Sequence, residues 1–180
     1  MAKQVRTVYG SALFSAARDS GRLTEVREQA ETILLALNEN PDFLRLLNHP
    51  EIEMKEKADM VDAVFAGNAD PLITGAISAL LEKGHGRELA NVLERFTDLA
   101  LEEEKIGVAK VCSAVELSDD QKERIRKKLL DTTDYTSMRI RYEVDPKLIG
   151  GLIIQLGDRV VDSSLSSKLA KMRRDLEAGC

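Results

Sequence analysis

The apolar residues of this chain change their spacing at Ile106, and that change demands two kinds of structure from one chain of 180 residues. Upstream, hydrophobic side chains recur every three to four positions. Val5, Val8, Tyr9, Ala12, Leu13 and Ala16 fall at the spacing of one helix face, ended by Gly21. Leu23, Val26, Ala30, Ile33, Leu34 and Leu37 line a second helix up to the break at Asn38–Asn40. Asn40-Pro41 reads as an N-cap with proline at the first helical position, opening a short third helix through Leu47. Met54, Ala58, Val61 and Phe65 define a fourth helix between Pro50 and a stop at Gly67-Asn68. Asp70-Pro71 repeats the cap-plus-proline start, and Ile73, Ala76, Ile77, Leu80 and Leu81 line a fifth. After Gly84-His85-Gly86, a sixth carries Leu89, Val92, Leu93, Phe96, Leu99 and Ala100. Helices joined this tightly predict a compact six-helix bundle over 1–105.

Downstream, the pattern is that of a small α/β unit over 106–180, so the fold class is mainly α with an α/β C-terminal domain. Residues 106–115 are short and rich in Val and Ala, which suits a partly buried strand. Ser118 and Gln121 form a capping box ahead of a helix whose apolar stripe is only Ile125 and Leu129. Met138, Ile140, Tyr142 and Val144 alternate with Arg139, Arg141 and Glu143, a half-buried strand. Leu152–Leu156 and Val160–Val161 flank Gly157-Asp158, a tight hairpin with glycine at the first turn position. A last helix carries Leu165, Leu169, Met172 and Leu176 at i, i+4, i+7 and i+11.

Composition narrows the function classes. Charged residues at 32% and apolar residues at 43% suit a globular protein, and aromatics at 4% leave Leu, Ile, Val and Ala to make the core. No apolar run approaches the roughly 18 residues of a membrane span, and the N-terminus has no signal-peptide pattern. Cys112 and Cys180 form neither a disulfide framework nor a zinc pattern, so the cytoplasm is the expected compartment. Residues 1–105 hold 12 basic against 19 acidic side chains and residues 106–180 hold 14 against 12, net −7 and +2, which hints at modules facing different partners.

The residues offer no catalytic or cofactor machinery. Gly84-x-Gly86 has Leu89 where a dinucleotide fingerprint needs a third glycine, and Gly150-Gly151 is not followed by Lys-Ser/Thr. The paired glycines suit a close approach of strands or a helix. His49 and His85 sit in turns with no metal ligand at a suitable spacing. Cys112 reads as a small buried hydrophobe, and Glu102-Glu103-Glu104 as a solvated helix end.

Two features remain as interaction candidates. Small residues gather on the first helix (Gly10, Ala12, Ala16, Ala17) and on the fifth (Gly75, Ala76, Ala79), which lets another helix approach closely or lets these two pack on each other. The last helix sets Lys168, Lys171, Arg173 and Arg174 around its apolar stripe, suiting either a solvated basic face or docking onto an amphipathic partner.

One family shares these features almost end to end. Asp145-Pro146, Leu148-Ile149-Gly150-Gly151, Gly157-Asp158, Val160-Val161-Asp162-x-Ser164 and Leu169 together resemble the C-terminal signature of the delta subunit of bacterial F-type ATP synthase, the oligomycin sensitivity conferral protein family. Tyr9-x-x-Ala12-Leu13-Phe14, the Glu82–Gly84 turn and Ala114–Leu117 match as well. The chain departs from the pattern at His85, where arginine is usual and Arg87 follows, and at Asp162-Ser163-Ser164, where Asp-Gly-Ser is usual.

The resemblance implies a non-catalytic stator component that links the catalytic head to the peripheral stalk, so that rotor torque drives ATP synthesis coupled to proton transport. Its partners would be the N-terminal helix of an alpha subunit, in a groove at Tyr9, Ala12, Ala16, Gly75, Ala76 and Ala79, and the stalk b subunits, at Leu165, Lys168, Leu169, Met172, Arg173 and Leu176. No cofactor, metal or nucleic acid is expected. The membrane would be met only through the complex, at the cytoplasmic face of the cell membrane. A helical nucleic-acid-binding or signalling adaptor is the alternative, favoured by Arg124, Arg126, Lys127 and Lys128 but opposed by the net charge of −5 and the lack of aromatic stacking positions beside that cluster.

Overall fold

The computed structural model describes residues 2–49, 51–65 and 69–178, and their side chains except those of 2, 3, 62 and 175–178. Pro50, the Gly67-Asn68 stop and Cys180 lie outside the described residues, as does the side chain of Leu176. The chain divides into two compact units, Met1–Leu101 and Glu102–Cys180.

The first unit is built from α1 (Ala2–Asp19), α2 (Leu23–Glu39), α3 (Pro41–Leu47), α4 (Met54–Phe65), α5 (Pro71–Glu82) and α6 (Leu89–Glu103), whose last turn crosses the boundary. A single apolar cluster joins them, with Val26, Ile73, Ile77, Leu80, Val92, Leu93 and Phe96 at its centre. Phe43 meets Phe65 edge to face, 6.2 Å between ring centroids. α1 and α5 end alike. Arg22 N–H donates to Ala17 O and Gly21 N–H to Arg18 O; His85 N–H donates to Leu80 O and Gly84 N–H to Leu81 O. These crossed bonds are the Schellman stop, with glycine at the positive-φ position.

Two local expectations change, and one buried charge is added. Asn40 stands before Pro41, but its side chain makes no cap bond to α3; its Nδ2 turns back to Ala36 O and closes α2 instead. Among the described side chains of α1 the buried residues are Gly10, Leu13 and Ala17, so Val8 (57% exposed) and Ala12 stand outside the core. Arg27, invisible to an apolar count, is buried on α2 within hydrogen-bond reach of Glu31 at 2.9 Å. It lies on the core side of the stripe, and its charge is matched from one turn further on.

The second unit is a four-stranded sheet in the order β2-β1-β3-β4, from β1 (Ile106–Ser113), β2 (Ser137–Val144), β3 (Leu152–Leu156) and β4 (Arg159–Asp162). β1 and β2 run parallel, so α7 (Asp119–Thr132) makes the crossover that parallel neighbours require. The other pairs are antiparallel. α7 packs on β2, where Tyr142 Oη donates to Lys122 O at 3.2 Å, and burial raises the Tyr142 hydroxyl above its usual range. The Ser118–Gln121 capping box forms in full. Along β1, Gly107, Ala109, Val111 and Ser113 point inward, and Cys112 is half-buried rather than buried because it sits on the opposite face. The strand stops at Ser113, whose hydroxyl donates to Val115 O at 2.7 Å and turns the chain out of the sheet. α8 (Leu165–Ala178) touches this unit chiefly at the 3-10 turn Pro146–Leu148.

Candidate partner-binding sites

On the first unit the small residues separate into two groups. Gly10 is used internally: a Cβ there would lie 2.9 Å from Arg95 Cβ and Cγ, so α6 passes over it. Ala17 is wholly buried. Ala12 and Gly75 instead face outward, Tyr9, Ala16, Ala76 and Ala79 are half-buried, and a Cβ on Gly75 would meet nothing within 4 Å. Since α1 packs against α5, these residues belong to neighbouring helices. At one end, Gln4, Val5, Val8, Tyr9 and His85 line an open surface pocket of about 380 Å³. His85 therefore lies beside the head of α1. α5 is held from its other end: Asp70 caps it through Leu72 N–H at 2.9 Å, receives Arg22 Nη1 at 2.5 Å, and offers its own N–H to Gln29 Oε1 at 2.6 Å.

On the second unit the signature residues form one continuous hydrogen-bonded turn. Asp145 N–H donates to Ser113 O, its carboxylate caps the Pro146–Leu148 turn through Lys147 N–H at 3.0 Å, and Leu148 is buried. Gly150 lets α8 approach, since a Cβ would lie 2.8 Å from Leu165 Cδ1, and Leu165 N–H donates to Gly150 O. Gly151 has φ +82 and a Cβ would stand 2.4 Å from Ser163 O, so both backbone twist and space require glycine. Gly157 has positive φ and Asp158 does not, the pattern of a II′ hairpin. Ser163, where glycine is usual in the resembled family, has no positive φ.

Asp162 and Ser164 then start α8. Asp162 Oδ1 accepts from Ser164 N–H at 2.8 Å and Oδ2 from Ser167 Oγ at 2.6 Å, while buried Ser164 accepts from Ser167 N–H. The Ser167 hydroxyl, then the Ser164 amide, hold the Asp162 carboxyl below its usual range. Leu165 is thus partly engaged internally. Lys168, Leu169, Met172 and Arg173 are exposed, with Leu169 at 55% and Met172 at 61%.

Sequence spacing missed a further cleft on this unit, of about 500 Å³, lined among others by Val115, Leu117, Arg124, Ile125, Lys128 and Ile149. Ile149 has φ 64 and ψ −39, and Gly150 N–H donates to Leu148 O at 2.6 Å across it. That is a positive-φ γ-turn, rare and strained, and a β-branched residue is an outlier in it. Such backbone conformations cost on the order of 1–3 kcal/mol. The available signal was the Leu-Ile-Gly-Gly run, which directs attention to the glycines rather than to Ile149.

Among the described residues no three His, Cys, Asp or Glu side chains could hold a metal ion together, and no helix is long and apolar enough to cross a membrane.

Comparison with known proteins adds a consistent set of matches. Residues 5–176 fit the family model described as ATP synthase delta (OSCP) subunit. The chain is 41% identical to ATP synthase subunit delta of Lachnoclostridium phytofermentans over 98% of its own length and 97% of that protein's. Against the subunit of the same name from Lactobacillus acidophilus it is 33% identical, covering 97% and 95%. A chain in the cryo-EM structure of the Toxoplasma gondii mitochondrial ATP synthase hexamer shares its fold with a TM-score of 0.78 at 21% identity, covering 95% and 96%.

Proposed function

Because the chain belongs to the ATP synthase delta (OSCP) subunit family, we propose that it closes the stator of an F-type ATP synthase by gripping a different partner with each unit. The role is mechanical. Proton flow turns a rotor, and the head in which ATP forms must be kept from turning with it. A link of this kind needs slow dissociation more than fast encounter, and affinity differences between related complexes lie mainly in the off-rate.

The first unit takes the N-terminal helix of an alpha subunit along α1 and α5. The observation that carries this reading is the division of the small residues: Gly10 and Ala17 serve the bundle, while Ala12 and Gly75 face outward on two helices that pack together. Small side chains let a third helix approach closely, and Tyr9 beside them supplies an aromatic anchor. The second unit takes the b subunits of the peripheral stalk, with Leu165, Leu169 and Met172 exposed on α8 among its described side chains and Lys168 and Arg173 beside them. The assembly then sits on the cytoplasmic face of the cell membrane, with this chain peripheral to it.

Calorimetry with an alpha N-terminal peptide tests the groove. Ala12→Asp and Ala79→Asp should each weaken binding at least tenfold with circular dichroism unchanged. Wild-type affinity in folded variants would rule the groove out.

A further inference from the structure

One pocket of the first unit gathers positive charge against the sign of its surroundings. Residues 1–105 hold 12 basic and 19 acidic side chains. Yet an open pocket of about 490 Å³ on this unit is lined by Leu44, Arg45, Asn48, His49 and Arg87, with no carboxylate among them. Cations set side by side repel unless water or an anion screens them.

Two segments distant in the chain build the pocket. Arg45 lies on α3 and His49 in the turn after it, while Arg87 comes from the 3-10 turn Gly86–Glu88. Asn48 joins the two. Its Nδ2 donates to Leu44 O at 2.6 Å, and its Oδ1 stands where a Cβ on Gly86 would come within 2.8 Å. Glycine at 86 lets the turn close on α3 and carry Arg87 to the pocket wall.

The donors are uncommitted or weakly held. Arg87 is exposed and makes no hydrogen bond or ion pair among the described residues, and the carboxylate next to it, Glu88, accepts from Asn91 Nδ2 at 2.9 Å. Arg45 meets Asp42 at 2.9 Å, but the two side chains are 80% and 87% exposed, where an ion pair contributes little. His49 Nδ1 accepts from Glu51 N–H at 3.3 Å, so the neutral ring carries its proton on Nε2 as a donor. Arg45 and His49 also complement the C-terminal end of α3. Arg87 comes from another element and has no such role. Two guanidinium forks with an imidazole N–H suit a tetrahedral oxyanion, which takes several charge-assisted hydrogen bonds at once.

We propose that this pocket binds the phosphoryl group of a small phosphate, with Arg45 and Arg87 on its oxygens and His49 Nε2–H as a third donor. Leu44, half-buried in the same wall, offers an apolar surface to an organic remainder. The inference is independent of which partners the two units grip.

NMR titration of the full chain with inorganic phosphate and, separately, with ADP tests the pocket, against sodium chloride at matched ionic strength. Saturable shifts should centre on Arg45, Asn48, His49 and Arg87. Arg87→Gln should weaken binding at least tenfold with the thermal midpoint unchanged, since Arg87 holds nothing else in place, and His49→Gln should weaken it severalfold. Equal affinity for the two ligands supports the proposal with free phosphate as the source. Tighter binding of ADP, with added shifts at Leu44, supports it with an organic phosphate as the source. Shifts that chloride reproduces, or that centre on Arg124 and Lys128, overturn it. So does an Arg87→Gln variant that titrates like the wild type. Succinate binding as tightly as phosphate also overturns it, because the pocket would then hold any carboxylate, including an acidic protein segment.

Discussion

Gly10 and Gly75 are the same residue type in two helices, yet their surroundings assign them opposite roles. A methyl at Gly10 would press on Arg95 and on Val92 O at 3.2 Å, whereas one at Gly75 would enter open space. Replacing helical glycine by alanine gains roughly 1 kcal/mol of helix propensity, and overpacking costs about 1–3 kcal/mol. Gly75→Ala should therefore raise the urea midpoint while lowering affinity for the alpha peptide, and Gly10→Ala should lower the midpoint; equal shifts in the two would contradict the division of small residues. Asp162 gives a pH-dependent counterpart. Its carboxyl is held below the ordinary value of 3.8 in the folded chain, so its contribution is present above that value and is lost as pH falls through the lower folded one. Titrated by NMR, the start of α8 should loosen only in that acid range, and Asp162→Asn should remove the acid step. A step unchanged in the variant would place its origin elsewhere.

At the start of α5 one carboxylate serves both the helix and the bundle. Asp70 has a side chain only 6% exposed, caps Leu72 N–H and holds Arg22. Loss of a cap costs about 1 kcal/mol, and a hydrogen bond to a charged partner adds about 1.5–3 kcal/mol, discounted here because Arg22 is 44% exposed. Asp70→Ala should thus destabilise by about 2 kcal/mol in urea unfolding with the slope unchanged, and Asp70→Asn, which keeps an acceptor for the cap, by less. An equal loss in both would mean that the ion pair rather than the cap dominates. Asp70-Pro71 is legible from sequence because its capping bond spans two residues. Asn40-Pro41 carries the same signature but not the same bond, because Asn40 has a competing acceptor in the helix it ends.

At the scale of the molecule the two units differ in what they bury. The bundle closes over a continuous apolar cluster, while among the described residues of the second unit the buried hydrophobics are Ala109, Val111, Met138 and Leu148. Small domains bury proportionally less of their surface and are marginal. Amide hydrogen exchange should therefore show lower protection across β1, β3 and β4 than across α2, α5 and α6. Binding of the stalk subunit should raise the former by mass action. Identical protection in both units of the free chain would indicate a single cooperative fold.

What the sequence by itself determined is what local hydrogen bonds and periodicity govern: the elements, the caps at Asp70 and Ser118, the Gly21 and Gly84 stops and the tight hairpin at Gly157-Asp158. These depend on groups within a few positions of one another. Tertiary structure alone decided which small residues of α1 turn inward, since Gly10 is answered by Arg95 on a distant helix. It also decided the sheet order, which places β3 beside β1 rather than beside β2. The γ-turn at Ile149 belongs to the same class. Intrinsic preference argues against isoleucine there, and only the surrounding contacts, Asp145 on Ser113 and α8 seated on Gly150, hold the chain in that shape.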